Sequence, residues 1–168
     1  MKEFVIISGT QNSGKTTTAW CVYQRFLPYS CNTQMWFGNT LVTNHGEIVY
    51  KDAPHSSEPR DFKVFLDVYG YKIVIISAGD DAKLLHSEIH SAYNEADFII
   101  ISLRTYNKTG SSRRMLRTYY TSDYKKEFRA APRDSHLSHP LDIVNSKRLV
   151  ADRIFNYVLF QTKYNLFK

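Results

Sequence analysis

The sequence predicts an α/β fold. Three observations carry the prediction: near-continuous apolar runs at Phe4-Val5-Ile6-Ile7, Ile73-Val74-Ile75-Ile76 and Phe98-Ile99-Ile100-Ile101, stretches of helical period between them, and one alternating run of Phe62, Val64, Leu66 and Val68. An apolar run without alternation suits a strand buried on both faces, whereas alternation suits a strand with one open face.

The first strand covers Lys2 to Ser8, and the first helix follows over Thr17 to Leu27, where Ala19, Val22, Tyr23 and Phe26 recur at helical spacing before Pro28 stops it. Residues 28 to 61 hold most of the prolines with several Asn, Ser and His residues, and read as a surface insertion. Within it, Leu41-Val42-Thr43 and Glu47-Ile48-Val49-Tyr50 flank Asn44-His45-Gly46 as a small hairpin. The alternating run at 62 to 68, a Tyr69-Gly70 turn and the apolar run to Ser77 then read as an edge strand hairpinned onto a buried central strand. Asp80-Asp81 cap a helix from Ala82 to Tyr93, Phe98 to Leu103 form another buried strand, and a last helix runs from about Leu141 to Phe160 with Ile143, Val150, Ile154, Tyr157 and Val158 on one face.

At 168 residues the chain is sized for one domain. No apolar run approaches the roughly 18 residues of a membrane span, which leads us to expect a soluble, cytoplasmic protein that does not use a membrane. Cys21 and Cys31 read as reduced thiols. The formal charge of +6 is concentrated: Arg104 to Arg133 contain nine Lys or Arg against Asp123 and Glu127. Such a segment is a solvated surface, a lid over an anionic substrate, or a nucleic-acid patch.

The most informative feature lies between the first strand and the first helix. Gly9-Thr10-Gln11-Asn12-Ser13-Gly14-Lys15-Thr16 fits G-x-x-x-x-G-K-[ST] at every fixed position, and Thr17 continues into the helix. Glycines let the backbone curl so that N–H groups point at phosphate oxygens, a lysine reaches the outer phosphates, and the Thr16 hydroxyl can ligate Mg²⁺. On this motif and its strand–loop–helix setting, the chain resembles the P-loop NTPase superfamily, closely over about the first 27 residues and in outline beyond them. The resemblance implies a three-layer fold, with a mostly parallel sheet, helices on both faces and one antiparallel edge strand. It also implies a nucleoside triphosphate held with Mg²⁺ by Gly9, Thr10, Gln11, Asn12, Ser13, Gly14, Lys15, Thr16 and Thr17, and the lack of a guanine-reading motif makes the expected nucleotide ATP rather than GTP.

In open α/β sheets ligands lie beyond the carboxyl ends of the strands, which directs attention to Ser77-Ala78-Gly79-Asp80-Asp81 and to Arg104-Thr105. P-loop proteins place an acidic residue at the end of a central apolar strand to hold Mg²⁺. Ser77 occupies that position here, so Asp80 becomes the metal carboxylate or a general base, unless Asp80 and Asp81 only cap the helix. Asp67 is a second-ranked metal carboxylate, and Thr33, Thr40 or Thr43 could lend a hydroxyl in the way of switch threonines. By resemblance to small P-loop kinases with an arginine-rich lid, Arg104, Arg113, Arg114 and Arg117 would stabilise a transferring phosphoryl group alongside Lys15. His86 and His90 stand four apart on a helix, but the zinc-protease pattern is absent.

Three functions fit these residues. One is an ATP-dependent phosphotransferase acting on a small-molecule or nucleotide acceptor, or a simple NTPase. Another is a GTPase-like or ATPase-like switch working through a protein partner, for which an antiparallel strand ahead of the central strand speaks, although Ile76 stands in place of the Asp of D-x-x-G and Asn107-Lys108 lacks the guanine-reading Asp. The last is a nucleic-acid-binding ATPase using Tyr106, Tyr119, Tyr120 and Tyr124 as stacking groups. The expected function is the first.

Overall fold

The computed structural model describes residues 2–10, 13–42, 60–105, 111–130 and 140–166. In chain order the elements are β1 (Glu3–Gly9), α1 (Lys15–Phe26), β2 (Ser30–Phe37), β3 (Thr40–Val42), β4 (Lys63–Val68), β5 (Tyr71–Ile76), α2 (Ala82–Tyr93), β6 (Phe98–Arg104), α3 (Ser112–Tyr119), β7 (Tyr124–Arg129) and α4 (Pro140–Leu166). Among the described residues the strands form one mixed sheet in the order β3-β2-β4-β5-β6-β1-β7. β5, β6, β1 and β7 are mutually parallel neighbours, while β4 is antiparallel to both β5 and β2, and β3 is antiparallel to β2.

Helices cover both faces. On one, Val5, Ile7, Ile73, Ile75 and Ile100 pack with Trp20, Tyr23 and Phe26 of α1 and Ile154 and Val158 of α4. On the other, Phe4, Ile6, Val74, Ile76, Ile99 and Ile101 pack with Leu85 and Ile89 of α2 and Leu116 of α3. This is why β1, β5 and β6 read as unbroken apolar runs: successive side chains point to opposite faces, and each face meets a helix. Each fully buried Ile or Phe contributes roughly 2 kcal/mol by apolar burial.

Local sequence accounts for the ends of α1 and the starts of α2 and α3, whereas α4 runs on to Leu166, past the expected end at Phe160. α2 starts at Asp81, whose carboxylate accepts from the N–H groups of Lys83 and Leu84 at 2.8 and 3.0 Å. α3 starts at Ser111, whose hydroxyl accepts from Arg114 N–H at 3.2 Å. Pro28 sits in a single 3₁₀ turn, Leu27–Tyr29, that closes α1.

Three expectations are corrected. The antiparallel strand before β5 is not an edge strand, because β2 pairs along its other side from Ser30 to Trp36. Nor are residues 30 to 42 a surface insertion: they are strands β2 and β3, joined at Gly38-Asn39, and Met35 and Phe37 are buried in the core under α1. Alternation in Met35-Trp36-Phe37 carried this signal, and the polar residues before it masked it. The proposed hairpin around Asn44-His45-Gly46 lies largely outside the described residues. Finally, much of the basic segment after Arg104 is no lid, since Tyr124 to Arg129 form the edge strand β7 beside β1. Lysine and glutamate on such an edge discourage pairing with another chain. Lys125 also donates to the carbonyls of Tyr120 and Asp123, so part of the positive charge secures the turn into the strand.

The register brings four chain segments to one rim of the sheet: Gly9 of β1 lies opposite Arg104 of β6, Ile101 opposite Ile76 of β5, and Ile76 opposite Lys63 at the start of β4. The turn after β5 crosses this rim at Gly79, where a Cβ atom would stand 1.4 Å from the Ser102 carbonyl oxygen. Replacing Gly79 by Ala is expected to lower stability by about 3 kcal/mol, at the upper end of overpacking costs. Urea unfolding checks this, and an unchanged midpoint would show that the turn moves freely off β6.

Candidate functional site

The segment after β1 closes on itself. Ser13 N–H donates to the Thr10 carbonyl at 3.3 Å, Gly14 takes φ +77° in the left-handed region, and α1 begins at Lys15. Only glycine adopts that φ without strain, which accounts for the second fixed glycine of the motif. The first turn of α1 has no acidic residue and no side-chain cap, so the positive end of its dipole and its unpaired N–H groups are left for an outside anion. Gly9, Thr10, Ser13, Lys15, Thr16 and Thr17 are all brought to this loop and first turn, whereas Gln11 and Asn12 lie outside the described residues.

Lysines hold two of the loop's carbonyls. Lys15 Nζ donates to Thr10 O at 2.7 Å, and Lys147 Nζ of α4 donates to Ser13 O at 2.5 Å. Burial pushes the Lys15 pKa down, with Asp80 opposing, Arg104 adding to the decrease and Asp61 opposing. Burial also lowers that of Lys147.

The carboxylate that meets Thr16 is Asp61 rather than Asp80. Asp61 Oδ1 accepts from Thr16 Oγ1 at 3.0 Å and from Ser77 Oγ at 3.3 Å. Ser77 Oγ in turn accepts from Phe62 N–H at 2.8 Å, and Ser77 N–H donates to Phe62 O at 3.0 Å, so the start of β4 and the end of β5 are clasped. A hydroxyl and a carboxylate oxygen this close suit Mg²⁺, which takes one or two protein oxygens and completes its shell with water and phosphate. Among the described residues no group of three or more His, Cys, Asp or Glu could hold a metal by itself.

Asp80 is engaged differently. Its Oδ2 accepts from Arg104 Nη2 at 2.8 Å while Arg104 Nε lies 2.8 Å from Oδ1 without forming a second aligned hydrogen bond. This pair raises the Arg104 pKa, first through the hydrogen bond and then through charge. Both side chains are more than a third exposed, at 37% and 52%, so the pair contributes little to stability. Asp81 alone caps α2, and the two neighbouring acids thus divide capping from ion pairing. Around the loop Lys15, Arg104 and Lys147 face Asp61 and Asp80, an excess of positive charge suited to a polyanion.

Of the other expected arginines, Arg113 reaches the same rim but is engaged with protein groups. Arg113 donates from Nη2 and Nη1 to Glu127 of β7 at 2.7 and 3.1 Å and from Nε to the Arg104 carbonyl at 2.9 Å. It therefore braces α3 against the sheet, and its sequence neighbour Arg114 is exposed, as is Arg117 one turn farther from the α3 start. Thr33 lies within β2 with its hydroxyl on Ser30 Oγ, Thr40 is exposed at the start of β3, and Thr43 is outside the described residues. Asp67 pairs opposite Lys72 at the far end of β4, away from the loop. Tyr120 is buried against Phe4 and Tyr93, and Tyr119 stacks on His86 at 4.4 Å, so these tyrosines form no open platform with Tyr124. Tyr106, Asn107 and Lys108 lie outside the described residues.

Asp61 and Lys147 escaped the sequence reading, although each leaves a trace. β4 runs against its neighbours, so its beginning, not its end, reaches the rim where the loop sits. Lys147 falls at helical spacing with Val150 and Ile154, a lysine in an apolar stripe.

The Arg113 pair lowers the Glu127 pKa below its ordinary value near 4.5, against an opposing effect of burial. A carboxyl whose folded pKa is depressed stabilises fully above the unfolded value, and that contribution is lost as pH falls through the folded one. Glu127→Gln is expected to unfold more easily than the parent at neutral pH and to lose less stability on acidification. Urea midpoints across the range from pH 7 to 3 check this, and parallel pH curves would refute it. No helix among the described residues is long and apolar enough to cross a membrane. Compared with protein-family models, with curated proteins and with solved structures, the chain matches none.

Proposed function

We propose that this chain is a P-loop nucleotide-binding protein that uses Mg-ATP as a phosphotransferase on a small-molecule or nucleotide acceptor, or as an NTPase. The observation that supports this best is the coincidence of motif and setting: Gly9 ends a central parallel strand, Gly14 takes the left-handed turn, Lys15 opens an uncapped helix, and Thr16 meets a carboxylate. The N–H groups of the loop and first turn would take phosphate oxygens, and Lys15 would exchange the Thr10 carbonyl for an outer phosphate. Thr16 and Asp61 are the residues that would hold Mg²⁺, which supplies charge neutralisation between the outer phosphates when bound. Arg104 stands at the same rim and would exchange Asp80 for the transferring phosphoryl group, freeing Asp80 to take a proton from the attacking hydroxyl.

In this reading Lys15 and Arg104 have different tasks. Lys15 binds nucleotide in the ground state, so Lys15→Ala should weaken Mg-ATP by roughly a hundredfold, the worth of about 3 kcal/mol for a charge-assisted contact. Calorimetric titration of Mg-ATP and Mg-GTP into wild type and variant tests this; tight GTP binding would favour a switch, and no binding of either would remove the proposal. Asp61→Asn should cut the gain in ATP affinity that Mg²⁺ provides while leaving metal-free binding nearly unchanged, and Asp80→Asn should leave that gain intact. Arg104→Ala should lower kcat on the order of a hundredfold with little change in nucleotide affinity, and equal losses in both would place Arg104 in binding instead.

A further inference from the structure

α4 turns an apolar face toward α1, built from Val150, Ala151, Ile154 and Val158, and one turn before Val150 that face carries Lys147. Lys147 is 3% exposed. Burying an ammonium group costs several kcal/mol unless strong hydrogen bonds offset it, so a lysine here requires a reason. Its Nζ donates to the Ser13 carbonyl at 2.5 Å, and its stem lies along Gly14, where a Cβ would come within 2.6 Å of Lys147 Cε. The second glycine of the motif thus serves two needs at once: the left-handed φ and the passage of a lysine from another helix.

The two lysines on the loop differ in freedom. Lys15 is only partly buried on Thr10 O and can turn to an incoming phosphate, whereas Lys147 is almost wholly buried with its stem against Gly14. A carbonyl facing a phosphate repels it, so fixing Ser13 O on an ammonium behind the loop favours the N–H-inward curl that an anion needs. We propose that Lys147 is a positioning residue for the phosphate loop: a fixed cation from α4 that holds the Ser13 carbonyl back and links the docking of α4 to occupancy of the site. This rests on the nucleotide reading above for its ligand, but the contact with Ser13 does not.

Lys147→Met keeps the stem and removes the charge and the donor. Mg-ATP should bind this variant at least tenfold more weakly by calorimetry, the melting temperature should be no lower than that of wild type, and the amides of Ser13, Gly14 and Lys15 should exchange hydrogen faster without ligand. A lysine that only fills space would leave affinity and loop exchange alone in this variant, and that result overturns the proposal. If the variant does not fold, wild type serves: Mg-ATP should slow exchange both in the loop and at residues 147–151 of α4, and protection confined to the loop overturns it. Failure of wild type to bind Mg-ATP removes the nucleotide reading alone, because the ligand-free exchange difference between wild type and Lys147→Met still decides the role of Lys147.

Discussion

The parallel pairing of β1 with β6, register-matched from Glu3 with Phe98 to Gly9 with Arg104, is the constraint on which the site depends. It holds because both strands are buried on two faces, and a slip by one residue would turn every apolar side chain toward the wrong helix pair. Once that register is set, the chain must leave β1 next to the end of β6. The loop and Arg104 then become neighbours, and Thr105 N–H donates to Gly9 O at 3.0 Å. Gly79, lying on the Ser102 carbonyl, brings Asp80 to the same place, and Ser112 of α3 secures it by donating from Oγ to Gly79 O at 2.7 Å.

Charge at this rim is arranged by burial. Lys147 has lost nearly all contact with water, Lys15 is partly buried, and the side chains of the Asp80 and Arg104 pair keep a third or more of their surface wet. A graded set of this kind separates tasks: the driest cation shapes the loop, the intermediate one can change partners, and the wettest pair can open at small cost because its Coulomb attraction is screened. Asp61 is exposed, and two hydroxyls donate to it without neutralising it. The mixed sheet makes this arrangement possible, since reversal of β4 presents the beginning of a strand where a fully parallel sheet would present an end.

β6, and not β5, stands beside β1, so two strands separate the antiparallel strand β4 from the loop-bearing strand. The β2–β3 hairpin then widens the sheet beyond β4, with Met35 and Phe37 closing the core beneath α1. The basic segment meets the same fate as the supposed insertion. Among its described charges, Lys125, Lys126 and Arg129 lie on an edge strand and Arg113 braces α3 through Glu127.

By itself the sequence determined the central strands, the start and stop of α1 and α2, and the phosphate-loop candidate, because those features depend on neighbours in the chain: apolar runs, capping acids, and glycines at set spacing. It also placed Asp80 and Arg104 at one rim, through the rule that strand ends gather there. Tertiary structure alone decided which carboxylate reaches Thr16, that residues 30 to 37 join the sheet, and that a lysine more than 130 positions along the chain grips Ser13. These depend on strand direction and on which helix lands on which face. Both are set by the burial of the whole sheet, and no local pattern of residues encodes them.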